Sequence, residues 1–546
     1  MPFDPPEWTE RESTMTLRKN SFIQEFLTQR RISGARLWRR WWSRDRESLA
    51  RLGNIAFVIV LAAGVRLLGL NQIGFNTDEA VYSGQAAAIA QVPVLKDIFP
   101  IFRAHPLLFQ FLLALLFNFG LSDLAARLLA VAVGVITVYI VYRLGSLLYG
   151  ESTGILAALI MAVMPYHVIV SRQVLLDGPL VLCTTLTLYL IARYALTGNP
   201  IWLHAAGIGM GLTFLAKETG IIMLGSIYSF FALSREIPVR LQDLILSFAL
   251  MVIMILPFPI SLWLAGGSKI GQQYLIWQLF RRPNHTPDFY LTTVPGAIGV
   301  LVILIALAGI WLLWRERTWR EKLLLWWIIV PVVFFQIWPT KGFQYLLPIA
   351  PALAVLAGRT LNRWLWVDNP FVTARPISTL WIRVAAGGLM ILTLLNTSWM
   401  AIQPPTTGVF IAGTGGVPGG REAGEWIKEN LPSEATLLTV GPSMANILQF
   451  YGHRKAYGLS VSPNPLHRNP AYEPVNNPDL QIRSNNIQYV VWDSYSAGRS
   501  AFFSERLLEL TARFHGRVVH TQTVTVTLDD GTKVDKPVII IYLVHP

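Results

Sequence analysis

Between Leu52 and Met400 the chain alternates apolar runs with short polar connections. The runs near 53 to 70, 123 to 143, 153 to 168, 178 to 196, 202 to 216, 219 to 234, 244 to 264, 293 to 313, 323 to 338, 344 to 361 and 381 to 400 predict eleven membrane-spanning helices. A further run, His105 to Gly120 (HPLLFQFLLALLFNFG), is short, begins with Pro106 and is separated from the next run only by LSD. It predicts a juxtamembrane or re-entrant helix rather than a crossing. Charge parity demands the same. Arg36, Arg39, Arg40, Arg44 and Arg46 precede the first run and place the N-terminus in the cytoplasm. With eleven crossings Arg143, Arg193, Arg235 and Arg240 also fall in cytoplasmic loops, and with twelve they do not. The segments expected outside are then 71 to 122, 169 to 177, Lys217 with Glu218, 265 to 292, Pro339 to Phe343, and everything after Ala401.

After the last run the pattern changes. Residues 402 to 420, with GTGGVPGG, form a flexible joint, and 421 to 546 have the rhythm of a small α/β domain. REAGEWIKEN and SERLLELTARF predict amphipathic helices, ATLLTV and IQYVVWD buried strands, and TVTVTLDDGTKVDKPVIIIYLV a hairpin about its DG turn. The expected organisation is a basic cytoplasmic segment (1 to 50), a mainly α transmembrane bundle (51 to 401), the joint, and an extracytoplasmic α/β domain.

Composition agrees, since 53% hydrophobic and 14% charged residues are too apolar for a soluble protein of this length. The net charge of +13 is largely accounted for by the N-terminal segment and short loops, so it is no nucleic-acid footprint. Cys183 is the single cysteine and lies in an apolar run, which excludes an intrachain disulfide.

Carboxylates are scarce, which singles out Asp78 and Glu79 in GFNTDEAVYSG, just past the first run. Thr77 or Asp78 could simply cap the helix that follows. Alternatively, a carboxylate at the membrane surface could take the proton from a hydroxyl nucleophile. In SRQVLLDGPLV, Arg172 and Asp177 share the outer face, where they could pair with each other or bind a phosphate. Lys217 with Glu218 in FLAKETGII, and Lys341 with Tyr345 in WPTKGFQYLLP, occupy outer turns. Snorkelling explains such lysines as well as neutralisation of a phosphate leaving group does.

These residues resemble the C-type glycosyltransferases, in particular the protein O-mannosyltransferase-like branch and its bacterial relatives, the aminoarabinose transferases. The resemblance runs over about residues 50 to 360. It is carried by DEA-x-Y at Asp78 to Tyr82, HPLL at His105, SRQVLLDGPL, AKETG and KGFQYLLPIAP. It implies a polyprenyl-phosphate sugar donor and no nucleotide, with Asp78 as catalytic base assisted by Glu79. Arg172, Asp177, Lys217, Lys341 and Tyr345 would form the donor site, and Tyr82 and His105 the acceptor side. It further implies a single inverting displacement onto a hydroxyl of a lipid, glycan or protein acceptor, in a plasma membrane whose lipids surround the bundle. A divalent cation is compatible with this chemistry, although no His or Cys cluster points to one. Where the family has two prolines after the histidine, this chain has Pro106-Leu107, and the luminal repeat domain of eukaryotic members has no counterpart. The competing function is a transporter or flippase for lipid-linked sugar, with the C-terminal domain binding ligand.

Overall fold

The computed structural model describes residues 49–101, 105–264, 283–312, 318–366, 377–403, 417–527 and 530–546, together with 273, 277, 280 and 281. The expected N-terminal segment and most of the joint lie outside these residues. Contacts divide the chain into two compact units, Met1–Val58 and Ile59–Pro546, and every site described below belongs to the second.

Helix α1 is Leu49–Leu67. Three short helices follow: α2 (Thr77–Ile89), α3 (Leu95–Ile98) and α4 (Leu108–Phe117). At ten residues α4 is about 15 Å long, too short to cross a bilayer core. Next come α5 (Asp123–Tyr149), α6 (Glu151–Val163), α7 (Pro165–Ser171), α8 (Asp177–Thr197) and α9 (Pro200–Ala216). A 3-10 turn, Glu218–Ile222, leads into α10 (Met223–Leu233), α11 (Leu241–Ile255) and α12 (Pro257–Leu264). Then follow α13 (Phe289–Ile298), α14 (Val300–Leu312), α15 (Trp319–Ile337), a 3-10 segment Phe343–Ile349, α16 (Ala350–Trp366) and α17 (Ile377–Ile402).

Among the described residues, five helices are long and apolar enough to cross a membrane, or seven if each of two bent pairs is one span. The expected count of eleven is not reproduced by helix length, because runs such as 202 to 216 and 219 to 234 form helices of only 17 and 11 residues. The bent pairs correct the expectation of continuous helices at 153 to 168 and 293 to 313. Helices α6 and α7 meet at 61°, where Pro165 lacks an N–H and would clash with a preceding helical carbonyl. Helices α13 and α14 meet at 92° at Gly299, whose φ of +100° few other residues adopt.

The α6/α7 break frees carbonyls in an apolar setting, and Arg66 satisfies them. Its Nη1 donates to Ala162 O at 2.8 Å and to Ala62 O at 2.8 Å, and its Nε to Ser171 Oγ at 2.8 Å. Its Nη2 lies 2.7 Å from His167 Nδ1. This fully buried arginine is therefore a helix-break clamp.

The C-terminal portion contains α18 (Gly420–Asn430), β1 (Thr436–Thr439), α19 (Pro442–Gly452), β2 (Lys455–Gly458), α20 (Pro478–Arg483) and β3 (Tyr489–Asp493). It ends with α21 (Ser494–Arg499), α22 (Ala501–Arg513), β4 (Arg517–Thr527) and β5 (Lys533–Leu543). The sheet order is β2-β1-β3-β5-β4. Strands β2, β1 and β3 are parallel, while β5 runs antiparallel to β3 and β4. Leu438, Val490, Leu507 and Val544 fill one core between sheet and helices. The predicted strands and amphipathic helices are found in their expected places, and the hairpin turns at Asp530-Gly531, where Gly531 has φ +82°.

This portion is fastened to the loop after α1. Arg421 Nη2 pairs with Asp123 Oδ2 at 2.8 Å and donates to Asn71 Oδ1 at 2.8 Å. The Tyr451 hydroxyl donates to Asp123 Oδ2 (3.0 Å) and accepts from Phe75 N–H (2.9 Å).

Candidate active site

Asp78 and Glu79 are adjacent in sequence and differ sharply in setting: Asp78 is exposed and Glu79 fully buried. The cap of α2 is Asn76, not Thr77 or Asp78 as expected. Asn76 Oδ1 accepts from Glu79 N–H (2.9 Å) and Glu79 Oε2 accepts from Asn76 N–H (3.0 Å), a reciprocal capping box. Arg127 on α5 donates Nε to Glu79 Oε1 (2.9 Å) and Nη2 to Oε2 (2.8 Å), and Val174 N–H donates to Oε1 (3.1 Å). Each Glu79 oxygen thus accepts two hydrogen bonds. The remaining Arg127 donors reach the carbonyls of Leu70, Ile73 and Gly74, so all five of its N–H groups are used. Glu79 is saturated and serves as the buttress of the loop.

Arg172 is engaged with a helix end. Its Nη1 donates to the carbonyls of Arg66 (2.6 Å), Leu68 (2.6 Å) and Val65 (3.3 Å), holding the C-terminal end of α1. Its neighbour Gln173 accepts from Asn76 Nδ2 at 2.8 Å, so the SRQ stretch works as scaffold behind α2. Lys341 is likewise engaged with a helix end. Its Nζ donates to Gln336 O (2.8 Å) at the C-terminus of α15 and lies 5.1 Å from the Tyr290 ring centre.

The remaining expected residues converge. Asp177, the first residue of α8, and Lys217, which ends α9, form a buried ion pair with Nζ 2.9 Å from both Asp177 oxygens. Tyr345 lies beneath, its ring centre 4.9 Å from Lys217 Nζ. Asp78 and His105 stand close enough to act on the charge of Asp177. His105 Nδ1 is 2.8 Å from Glu218 Oε2, and the Tyr82 ring meets the His105 ring edge-on at 6.2 Å. Every one of these groups sits in a loop or within about two turns of a helix end, so the cluster gathers where the bundle opens.

Several members were not singled out from the sequence. Arg281 lies near Tyr345, with its guanidinium 4.7 Å from the Trp277 ring centre. Burial, with Arg499 and Lys341 nearby, holds His285 below the ordinary histidine range. Tyr495 on α21 accepts from Arg499 Nη1 at 2.6 Å. Burial pushes its hydroxyl upward, and Asp78 contributes to that shift. Arg127 carries the one signal that could have been read: a cation inside an apolar run requires a partner. Among the described residues no group of three or more His, Cys, Asp or Glu side chains could hold a metal ion. Asp177 and Glu218 are already engaged by Lys217 and His105, so the site residues do not fit a divalent cation.

The arrangement offers an exposed carboxylate beside a buried, charge-compensated lysine, able to accept a proton at one point and face an anion at the other.

Comparison with known proteins gives this site a context. The family model described as dolichyl-phosphate-mannose-protein mannosyltransferase matches residues 104–263. No curated protein matches the chain in sequence. The structure of ArnT from Cupriavidus metallidurans bound to undecaprenyl phosphate superposes with a TM-score of 0.64 at 16% identity, covering 90% of this chain and 98% of that one. Its apo state gives 0.63 over the same shares and at the same identity. The apo oligosaccharyltransferase of Archaeoglobus fulgidus gives 0.55 at 14% identity over 89% of this chain and 74% of that one. The chain therefore has the fold of the C-type glycosyltransferases related to the aminoarabinose transferases, and within that fold it carries a segment of mannosyltransferase sequence pattern.

Proposed function

We propose that this protein is a membrane glycosyltransferase that moves a sugar from a polyprenyl-phosphate donor to a hydroxyl acceptor at the extracytoplasmic face. The observation that carries the reading is the exposed Asp78 within electrostatic range of the buried Asp177–Lys217 pair. That the similar ArnT structure holds undecaprenyl phosphate supports the donor class. The clustering of these groups at helix ends favours an interfacial reaction over a transport site deep among the helices.

Asp78 takes the proton of the acceptor hydroxyl as its oxygen attacks the anomeric carbon. The bond from that carbon to the phosphate oxygen breaks, and its electron pair leaves with the polyprenyl phosphate. Two of the Lys217 N–H groups hold Asp177, and the third meets the charge that grows on the departing phosphate. Tyr345 and Arg281 complete the donor side, while Tyr82 and the His105–Glu218 pair line the acceptor side. The product is an inverted glycoside. Glu79 and Arg172 act by positioning, the first through Arg127 and the second through the end of α1. Lys341, engaged at the end of α15, borders the donor side through Tyr290. The plasma membrane, a cytoplasmic N-terminus and an extracytoplasmic C-terminal domain complete the reading.

The test is incubation of the purified protein and of Asp78→Asn with a panel of polyprenyl-phosphate sugars and candidate acceptors, following free polyprenyl phosphate by mass spectrometry. Release by the parent and not by the variant is expected. Intact donors throughout, in a folded preparation, would overturn the proposal.

A further inference from the structure

The loop after α2 and the C-terminal portion border a cavity of about 260 Å³. One wall is Lys96 to Pro100, and the other is a single face of α19, on which Pro442, Ala445, Asn446 and Gln449 recur at helical spacing. Tyr457 and Tyr472 close its far side. The position relative to Asp78 is fixed by Phe99, which packs against Gly84 so closely that a Cβ there would meet its ring. Gly84 is six residues after Asp78 on α2, about 9 Å along the helix axis.

The lining has a definite chemistry. Asn446 is buried, and its Nδ2 has no hydrogen-bond partner within the protein, which leaves it a donor to spare. Gln449 donates Nε2 to Ala456 O at 2.8 Å, which turns its amide into a fixed acceptor. The charges cancel: Lys96 neighbours Asp97, and Lys455 Nζ lies 3.8 Å from Glu473. Such walls discriminate against a phosphate or carboxylate. One fixed amide acceptor, one unpaired amide donor, two tyrosine rings and no net charge suit a neutral polyol with apolar C–H faces, and the volume suits a single hexopyranose ring.

We infer that this cavity binds a neutral pyranose of a glycan acceptor, holding a sugar remote from the reacting hydroxyl while Asp78 deprotonates the hydroxyl of another. The acceptor role rests on the proposed glycosyltransferase activity; the sugar-binding role does not. The neutral sugar could equally be free in solution, and the experiment separates the two sources.

Saturation-transfer NMR on the full-length protein in nanodiscs, with mannobiose, maltose and cellobiose as neutral probes and glucuronic acid as a charged one, reads binding without turnover. At least one neutral disaccharide should bind, and Asn446→Leu and Tyr472→Ala should each weaken it about tenfold, as loss of one or two buried contacts implies. Asp78→Asn should bind it as the parent does. Absence of signal from every neutral sugar, a preference for glucuronic acid, or binding indifferent to both cavity variants would overturn the assignment. In the transfer assay both variants should raise KM for a glycan acceptor about tenfold and leave kcat and KM for a short alkyl alcohol unchanged. Disaccharide binding with an unchanged glycan KM would leave a free-sugar site and overturn the acceptor role. Sugar binding in a protein that releases no polyprenyl phosphate would sink the proposed function alone.

Discussion

Lys217 Nζ stands 2.9 Å from both carboxylate oxygens of Asp177, forty residues away on the preceding helix, and neither side chain is more than 5% exposed. Removing one partner strands the other charge in a dry setting. Lys217→Met should therefore cost about 3–5 kcal/mol of stability, most of which the double change Asp177→Asn with Lys217→Met should restore. Neither protein should transfer sugar if the Lys217 ammonium faces the phosphate as proposed. Thermal unfolding in detergent together with turnover checks this, and equal losses of Tm in the single and double variants would show that the two charges are not coupled.

Asp78 and Glu79 should separate chemistry from folding. Asp78→Asn should lower kcat by about 10²- to 10⁴-fold, the range of a lost general base, with Tm unchanged. Glu79→Gln should instead lower Tm by removing the counter-charge of buried Arg127. Parallel measurement of kcat and Tm decides, and a Glu79→Gln protein with parental Tm and no activity would reinstate Glu79 as a reacting group.

For Arg172 the expected loss is structural. Arg172→Gln removes donors from the carbonyls of Arg66 and Leu68 and should cost about 1–3 kcal/mol. In the folded fraction KM for the donor should stay within about threefold of the parent value. A large rise in donor KM with unchanged Tm would place Arg172 on the phosphate after all.

Asp493 provides a pH signature in the C-terminal portion. It caps α21 by accepting from Ser496 N–H at 2.6 Å, is fully buried, and its Oδ2 has no partner. Burial raises its pKa from 3.8 to about 6. Because the folded-state value is raised, the stability it contributes is present below about pH 4 and is lost as pH climbs through about 6. Asp493→Asn keeps the capping oxygen and removes this loss. The variant should match the parent near pH 4 and exceed it above pH 6 by up to about 3 kcal/mol, the linkage value of a two-unit shift. Tm against pH for both proteins measures it, and parallel curves would contradict it.

Much of this was legible in the sequence, and the reasons for the exceptions are physical. The acid pair after the first run, the short helix within 106 to 120, and the strands and hairpin after residue 435 follow from scarcity, length and alternation, which are local properties. The division of labour between Asp78 and Glu79 is not local, because it depends on Arg127 reaching across from α5. The same holds for Arg172, whose acceptors lie more than a hundred residues upstream. Hydropathy also merged helices that Pro165 and Gly299 break, because an apolar run does not report where a helix bends. Asp177 and Lys217 both fall in outer turns of the sequence, but their direct pairing depends on how α8 packs against α9.

The junction of Asp123 with Arg421 and Tyr451 has a consequence for how such a protein can diversify. The groups that the proposed transfer uses, Asp78, Asp177, Lys217 and Tyr345 among them, come from the helical part, whereas the cavity wall at α19 comes from the C-terminal part. Exchange of the segment beyond residue 417 for another of the same fold would substitute one acceptor for another without disturbing the chemistry, provided the incoming segment kept an arginine and a tyrosine able to meet Asp123. On the proposed function, acceptor choice would thereby be an exchangeable module, with the three-residue latch as its coupling.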